Sequence, residues 1–254
     1  MPAAFPAHTL PDPCVVFDEL AVSYRKQPAL HGLSGAVRRG SLTAVVGPNG
    51  SGKTTLMRSI AGLLEPSSGR CAVAPGVRVA YQPQQAGLDR GFPARVIDVV
   101  AMGLWPRRGL LGRHTRQDHH AMQAALDAVG LAGHGHRPID TLSGGELQRA
   151  LFARTMVQEA DLILLDEPFS AVDERTVQDL VAIILRWHAA GRTIMVVMHD
   201  LDLVRQCMPE TLLMSCHPIA WGSTAATLTP DNLRRARHGH AADASFDKLR
   251  QAAA

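Results

Sequence analysis

One eight-residue stretch restricts the possible folds of this chain more than any other. Gly47-Pro48-Asn49-Gly50-Ser51-Gly52-Lys53-Thr54 fits G-x-x-x-x-G-K-[S/T] at every position. Glycines there let backbone N–H groups turn inward on an anion without a clashing Cβ. A helix that follows presents its positive end to the same anion. Both required flanks are present. Ser41–Val46 reads as a short buried strand, and Lys53–Leu64 as a helix with Leu56, Ile60, Leu63 and Leu64 on one face. Lys53 is placed to neutralise the β- and γ-phosphates of a nucleotide, Thr54 to coordinate Mg²⁺ through its hydroxyl, and Thr55 to bond an α-phosphate oxygen. The alternative is a glycine-rich turn capping an ordinary helix, and the flanks argue against it.

The rest of the chain alternates. Cys14–Tyr24 reads as a strand carrying Val15, Phe17, Leu20, Val22 and Tyr24. Asp98–Leu104, Gln117–Val129 and Gly144–Gln158 read as helices, the first two joined by a loop with Arg107, Arg108, Arg113 and Arg116. Strand, helix, strand and helix follow at Asp161–Asp166, Glu174–Ala189, Thr193–Met198 and Leu201–Cys207. Short strands at Leu212–Ser215 and Ile219–Gly222 precede a small helix to Ala236, with Thr229 as N-cap and Pro230 as first residue. Strands alternating with helices predict a mainly parallel α/β sheet, with the helical middle inserted between two halves of the core. Residues 1–13, with four prolines, read as a flexible arm, 14–236 as one domain with a helical subdomain at about 85–160, and 237–254 as a polar, alanine-rich tail.

Composition narrows the function classes. At 46% hydrophobic the chain can bury a full core, and a net charge of +3 is too weak to argue for nucleic acid. There is no run of about 18 apolar residues and no signal-peptide pattern, so a cytoplasmic place is expected. Cys14, Cys71, Cys207 and Cys216 form no CxxC pair and read as thiols. The paired histidines (His119-His120, His134-Gly135-His136, Cys216-His217, His238-Gly239-His240) give no four-ligand set and read as solvated.

A second acidic strand end adds chemistry. Leu162-Ile163-Leu164-Leu165-Asp166-Glu167 is an apolar strand ending in two carboxylates. In a protein with this phosphate loop the first acid, Asp166, holds Mg²⁺, and the second, Glu167, orients or deprotonates the attacking water. Leu142-Ser143-Gly144-Gly145-Glu146-Leu147-Gln148-Arg149 is the most selective segment. Ser143 and Glu146 form a capping box, but two glycines at a helix entry weaken the helix and make sense where an anion approaches the backbone N–H groups closely.

With these segments in this order, the chain resembles the ABC ATPase family, whose signature is LSGG followed by Gln-Arg. The resemblance runs from about Cys14 to Ala236. It implies a RecA-like P-loop core with a mainly parallel sheet, an antiparallel edge sheet and an inserted helical subdomain, binding ATP and Mg²⁺. It further implies that Tyr24 stacks on adenine, that Gln84 of Tyr81-Gln82-Pro83-Gln84 is the Q-loop glutamine and a Mg²⁺ contact, and that Ser170-Ala171-Val172-Asp173 is the D-loop. His199 becomes the switch histidine at the γ-phosphate. Two subunits stack head to tail, with ATP between the P-loop of one and Ser143, Gly144 and Gly145 of the other, and Asp173 near the shared nucleotide.

The partners implied are a second copy of the chain, a multi-span membrane permease at the cytoplasmic face and, indirectly, a substrate-binding protein, with no nucleic acid. The stretch Val96–Trp105, Glu167–Asp173 and Leu228–Leu233 resemble importers of zinc and manganese, zinc first. Iron-siderophore or haem importers are the alternative cargo class. A non-transport ABC ATPase is the other alternative, which the single P-loop and the lack of sustained heptads disfavour. Of Phe92, Val99, Met102, Leu104 and Trp105, the middle residues read as core. Phe92 and Trp105, beside Pro93 and Pro106, are the candidates for an apolar groove that takes a short helix of the permease.

Overall fold

The computed structural model describes residues 12–24, 27–84, 92–109, 112–170 and 172–237. The strands are β1 (Pro13–Tyr24), β2 (Gln27–Arg38), β3 (Leu42–Val46), β4 (Ser68–Val73), β5 (Val79–Gln82), β6 (Leu162–Asp166), β7 (Thr193–Val197), β8 (Glu210–Ser215) and β9 (His217–Ser223). The helices are α1 (Lys53–Ile60), α2 (Val96–Ala101), α3 (Trp105–Arg108), α4 (Arg116–Ala128), α5 (Gly144–Val157), α6 (Glu174–Ala189), α7 (Leu201–Cys207) and α8 (Thr224–Thr227). A last helix, α9, spans 230–237. The architecture is the RecA-like α/β core expected, with a mainly parallel sheet, an antiparallel edge sheet and inserted helices. The chain divides into two compact units at the junctions Val77/Arg78 and Arg192/Thr193.

In the first unit, β3 lies between β7 and β8, parallel to both, and β9 adds antiparallel to β8. Every residue of β3 and of β7 is buried, as expected of parallel strands covered on both faces. A separate antiparallel sheet runs β2-β1-β4. The inward residues of β1 change parity, from Val15 and Phe17 to Leu20 and Val22, all at most 1% exposed. A bulge absorbs the extra residue: Glu19 takes φ 44°, and its backbone N–H and carboxylate both bond the Ser34 hydroxyl, at 2.9 and 2.7 Å. In β2, Gly35 leaves room for Trp221, whose ring would lie 2.6 Å from a Cβ there and packs 6.0 Å from Phe17.

In the second unit, β5 pairs parallel with β6, and the helices from α2 to α5 lie between them in sequence. Phe152 of α5 stacks on Trp187 of α6 at 5.5 Å. Much of the basic loop is neutralised locally. The buried carboxylate of Asp118 takes Arg108 at 2.9 Å and Arg107 at 3.7 Å, and it closes a capping box with Thr115 at the start of α4. The Arg108 guanidinium and the Thr115 backbone hold it well below the usual carboxylate range.

Three strands were not anticipated. The apolar alternation of β2 is interrupted by Pro28, Gly32 and Gly35, β4 has no buried residue, and β5 has only four residues. The helix expected at Lys53–Leu64 stops at Ile60, because Ala61 caps it and Gly62 turns to φ 71°. Leu63 is consequently 62% exposed and does not share the buried face of Leu56 and Ile60. The helix expected from Asp98 starts two residues earlier and tightens at Met102–Leu104 into a 3-10 turn, where Gly103 lies against the Arg154 carbonyl. Val99 and Leu104 are buried, whereas Phe92 and Trp105 are 62% and 43% exposed. Among the described residues no helix is long and apolar enough to cross a membrane. The expected arm up to residue 11, His238, His240 and the rest of the tail lie outside the described residues.

Candidate nucleotide site

The phosphate loop, in the first unit, is built to leave N–H groups uncovered. Gly50 and Gly52 take φ 80° and 87°, and α1 starts from Gly52 with no side-chain cap and no acid in its first turn. No acid of the helix's own first turn therefore competes with an anion for its N–H groups. No side chain fits at two of the glycines. A Cβ on Gly52 would meet the Ala29 carbonyl at 2.4 Å, and one on Gly47 the Met214 carbonyl at 2.2 Å. The turn between β8 and β9 backs the loop from behind, where Cys216, itself at φ 56°, donates its N–H to the Ser51 carbonyl at 3.1 Å.

Lys53 is 5% exposed, and its ammonium donates to the carbonyls of Gly47 and Pro48 at 2.9 and 2.8 Å. The Ser51 hydroxyl oxygen is buried without a hydrogen-bond partner. A bonded cation, an unbonded buried hydroxyl and uncapped N–H groups together fit a polyphosphate. Thr54 and Thr55 are half-buried on α1, while Pro48 and Asn49 form the outer turn. His199 follows β7, next to β3 in the sheet: Val197 pairs with Val45, and Met198 N–H bonds the Val45 carbonyl at 3.1 Å. Parallel pairing thus places His199 and the loop after β3 at the same sheet end.

The acids lie in the second unit. Asp166 is 1% exposed at the end of β6, and Tyr81 of β5 donates its hydroxyl to Asp166 Oδ2 at 3.2 Å. Glu167 takes the left-handed region at φ 51°, a strained choice for this residue type. Its Oε2 accepts from the Gln84 amide at 2.6 Å and from the Ser170 hydroxyl at 3.3 Å. So Gln84 of one segment meets the acidic pair Asp166-Glu167 of another at one strand end.

The signature helix is tied to this strand end. Ser143 caps α5 in the expected box, accepting from Glu146 N–H at 3.2 Å while its own N–H bonds the Glu146 carboxylate at 2.8 Å. That backbone bond, then Arg137 at 2.7 Å, lowers the Glu146 pKa to about 2. Gln148 donates to the Pro168 carbonyl at 2.6 Å, one residue past Glu167. Asp173 is the N-cap of α6, accepting from the Thr176 backbone and hydroxyl at 2.9 and 2.8 Å, which holds its carboxyl below the usual range. A Cβ on Gly145 would come 3.1 Å from the Thr176 hydroxyl, so close packing on α6 is a second reason for that glycine. Gly144 is the first residue of α5.

Tyr24 ends β1, and the stacking role expected of it rests on a side chain outside the described residues. Sequence reading missed Tyr81 as a partner of Asp166 and the backing by Met214 and Cys216. Both are contacts between neighbouring strands and leave no local pattern. Among the described residues there is no group of three or more His, Cys, Asp or Glu side chains able to hold a metal ion.

The family model for the ABC transporter matches residues 30–170. The zinc transport system ATP-binding protein TroB of Treponema pallidum is 36% identical over 240 residues, 92% of this chain and 90% of that one. The manganese transport system ATP-binding protein MntB of Bacillus subtilis is 36% identical over 231 residues, 89% and 92% of the two chains. Among solved structures, a metal-chelate type ABC transporter in an inward-facing conformation superposes with a TM-score of 0.81 at 27% identity, over 89% of this chain and 90% of that one. Glycine loop, acidic strand end and signature helix thus stand in one chain that its relatives match almost end to end, and the chain belongs to the ABC transporter family as an ATP-binding, ATP-hydrolysing subunit.

Proposed function

We propose that this subunit powers import of a divalent metal ion, zinc ahead of manganese, through a separate membrane permease fed by a substrate-binding protein. The carrying observation is the 36% identity to the zinc-system and manganese-system subunits across about nine-tenths of the chain. The two identities are equal, so they support the cargo class and not the order within it. The exposed Phe92 and Trp105 support docking of an apolar permease helix on the helical unit, at the cytoplasmic face of the membrane.

The roles follow the chemistry of each side chain. The backbone N–H groups of Gly47–Thr55 and the Lys53 ammonium bind the phosphates of ATP, with Tyr24 under the adenine. Mg²⁺, when bound, offsets phosphate charge as the terminal phosphoryl leaves. Thr54, Gln84 and Asp166 would hold it. Glu167 accepts the proton of the attacking water, and His199 donates a hydrogen bond to the γ-phosphate. Ser143, Gly144 and Gly145 offer the α5 N-terminus to ATP on a second copy of the chain, with Asp173 at that junction. Hydrolysis therefore belongs to the homodimer.

The test of cargo is uptake into vesicles that hold the subunit with the permease from its operon. ATP-dependent accumulation of radioactive zinc or manganese is expected, zinc saturating at the lower concentration. Accumulation of a ferric siderophore or haem, with no uptake of either metal ion, would overturn the proposal.

A further inference from the structure

We propose that Tyr81 is a positioning residue for Mg²⁺: its hydroxyl fixes the Asp166 carboxylate so that the other oxygen faces the cation. This rests on the reading of Asp166 as the carboxylate that holds Mg²⁺. Three observations carry it. First, Tyr81 pairs with Leu164, and Asp166 lies two residues further along β6, so the side chains of Tyr81 and Asp166 leave the sheet on the same face. Second, the Tyr81 hydroxyl donates to Oδ2 at 3.2 Å, and one such bond to a carboxylate, which has about four lone-pair sites, is compatible with a bound cation. Third, Asp166 is 1% exposed, where a buried carboxylate needs hydrogen-bond donors in place of water.

The hydroxyl also differs from the Gln84 amide at this strand end. Gln84, on the segment after β5, bonds Glu167, whereas Tyr81 sits inside the β5–β6 ladder, flanked by the pairs Ala80–Ile163 and Gln82–Leu165. Its position is set by the strand pairing and does not depend on the segment that follows. Asp166 is thereby held before any cation arrives, so that binding needs little reordering of the side chain. Ligand carboxylates are commonly oriented in this way by a neighbouring donor.

The experiment measures Mn²⁺ binding, by electron paramagnetic resonance, to the full-length subunit loaded with ADP. ATP binding in excess EDTA is measured alongside. Tyr81→Phe keeps the ring and removes only the hydroxyl. It is expected to weaken Mn²⁺ binding about 10- to 100-fold and to raise the KM for Mg²⁺ more than it lowers kcat, as loss of a donor that orients a ligand carboxylate predicts. Metal-free ATP binding should stay unchanged. In an Asp166→Asn background the same substitution should add nothing, because it acts through that carboxylate. Mn²⁺ affinity within twofold of wild type in Tyr81→Phe, while Asp166→Asn weakens it strongly, would overturn the proposal and leave the reading of Asp166 standing. An equal Tyr81→Phe effect in both backgrounds would also overturn it. Unchanged Mn²⁺ affinity in Asp166→Asn would remove the reading itself.

Discussion

Lys53 carries a charge into a place that is 5% exposed, where its ammonium is held by the loop's own carbonyls. A buried ammonium gains when phosphate charge reaches it. Lys53→Ala is therefore expected to weaken ATP binding roughly 10- to 100-fold, the worth of a hydrogen bond between charged groups. A fluorescent-ATP titration with unchanged affinity would contradict this. Glu146 makes a different prediction at the same scale. Its pKa falls from 4.5 to about 2 in the fold, so it contributes stability in full above about 4.5 and loses it as pH falls toward 2. Glu146→Gln should lower the urea midpoint relative to wild type at about pH 7, and the gap should close as the pH approaches 2. A gap that stays constant over that range would show that the capping box is not held by the ionised form.

Helix starts and strand ends carry the site. Gly52 is the sharpest case: an alanine there would adopt φ 87° and place its Cβ 2.4 Å from the Ala29 carbonyl. Gly52→Ala should cost about 1–3 kcal/mol of stability and weaken nucleotide binding, seen as a lower melting temperature that ATP restores less well. Normal melting and normal ATP affinity would mean that the loop tolerates another path. Ser143→Arg should leave ATP binding to the single subunit intact and stop hydrolysis, since in the proposed homodimer that serine acts on a partner's nucleotide. Persistent hydrolysis with the wild-type dependence on protein concentration would count against the paired arrangement. Elements of this kind were legible in the sequence because their cues are local. The glycine loop, the Ser143–Glu146 box and the apolar run into Asp166 each span a few residues. β2, β4 and β5 were not legible: glycines break the alternation of β2, solvent covers much of β4, and β5 is too short to show a period. The early end of α1 was hidden for a related reason, since Leu63 and Leu64 continue the apolar spacing while Gly62 turns the backbone away. Partners such as Tyr81 and Asp166 depend on register between strands distant in sequence, which no local pattern encodes.

At the scale of the whole molecule, the chain couples chemistry to a partner. Phe92 and Trp105 leave 62% and 43% of their surface exposed. Phe92→Ala and Trp105→Ala should leave the ATPase of the isolated subunit near wild type and lower metal uptake by the assembled transporter. Unfolding of both variants would assign the rings to the core, and unchanged uptake would move the docking surface elsewhere. The central claim is that two copies of this chain hydrolyse ATP with Glu167 as the base. The most direct measurement is steady-state ATPase of Glu167→Gln, paired with gel filtration in MgATP. Turnover about 100- to 10,000-fold below wild type, with ATP still bound and the protein eluting as a dimer, is the predicted result. Turnover close to wild type, or a variant that stays monomeric with ATP bound, would contradict it.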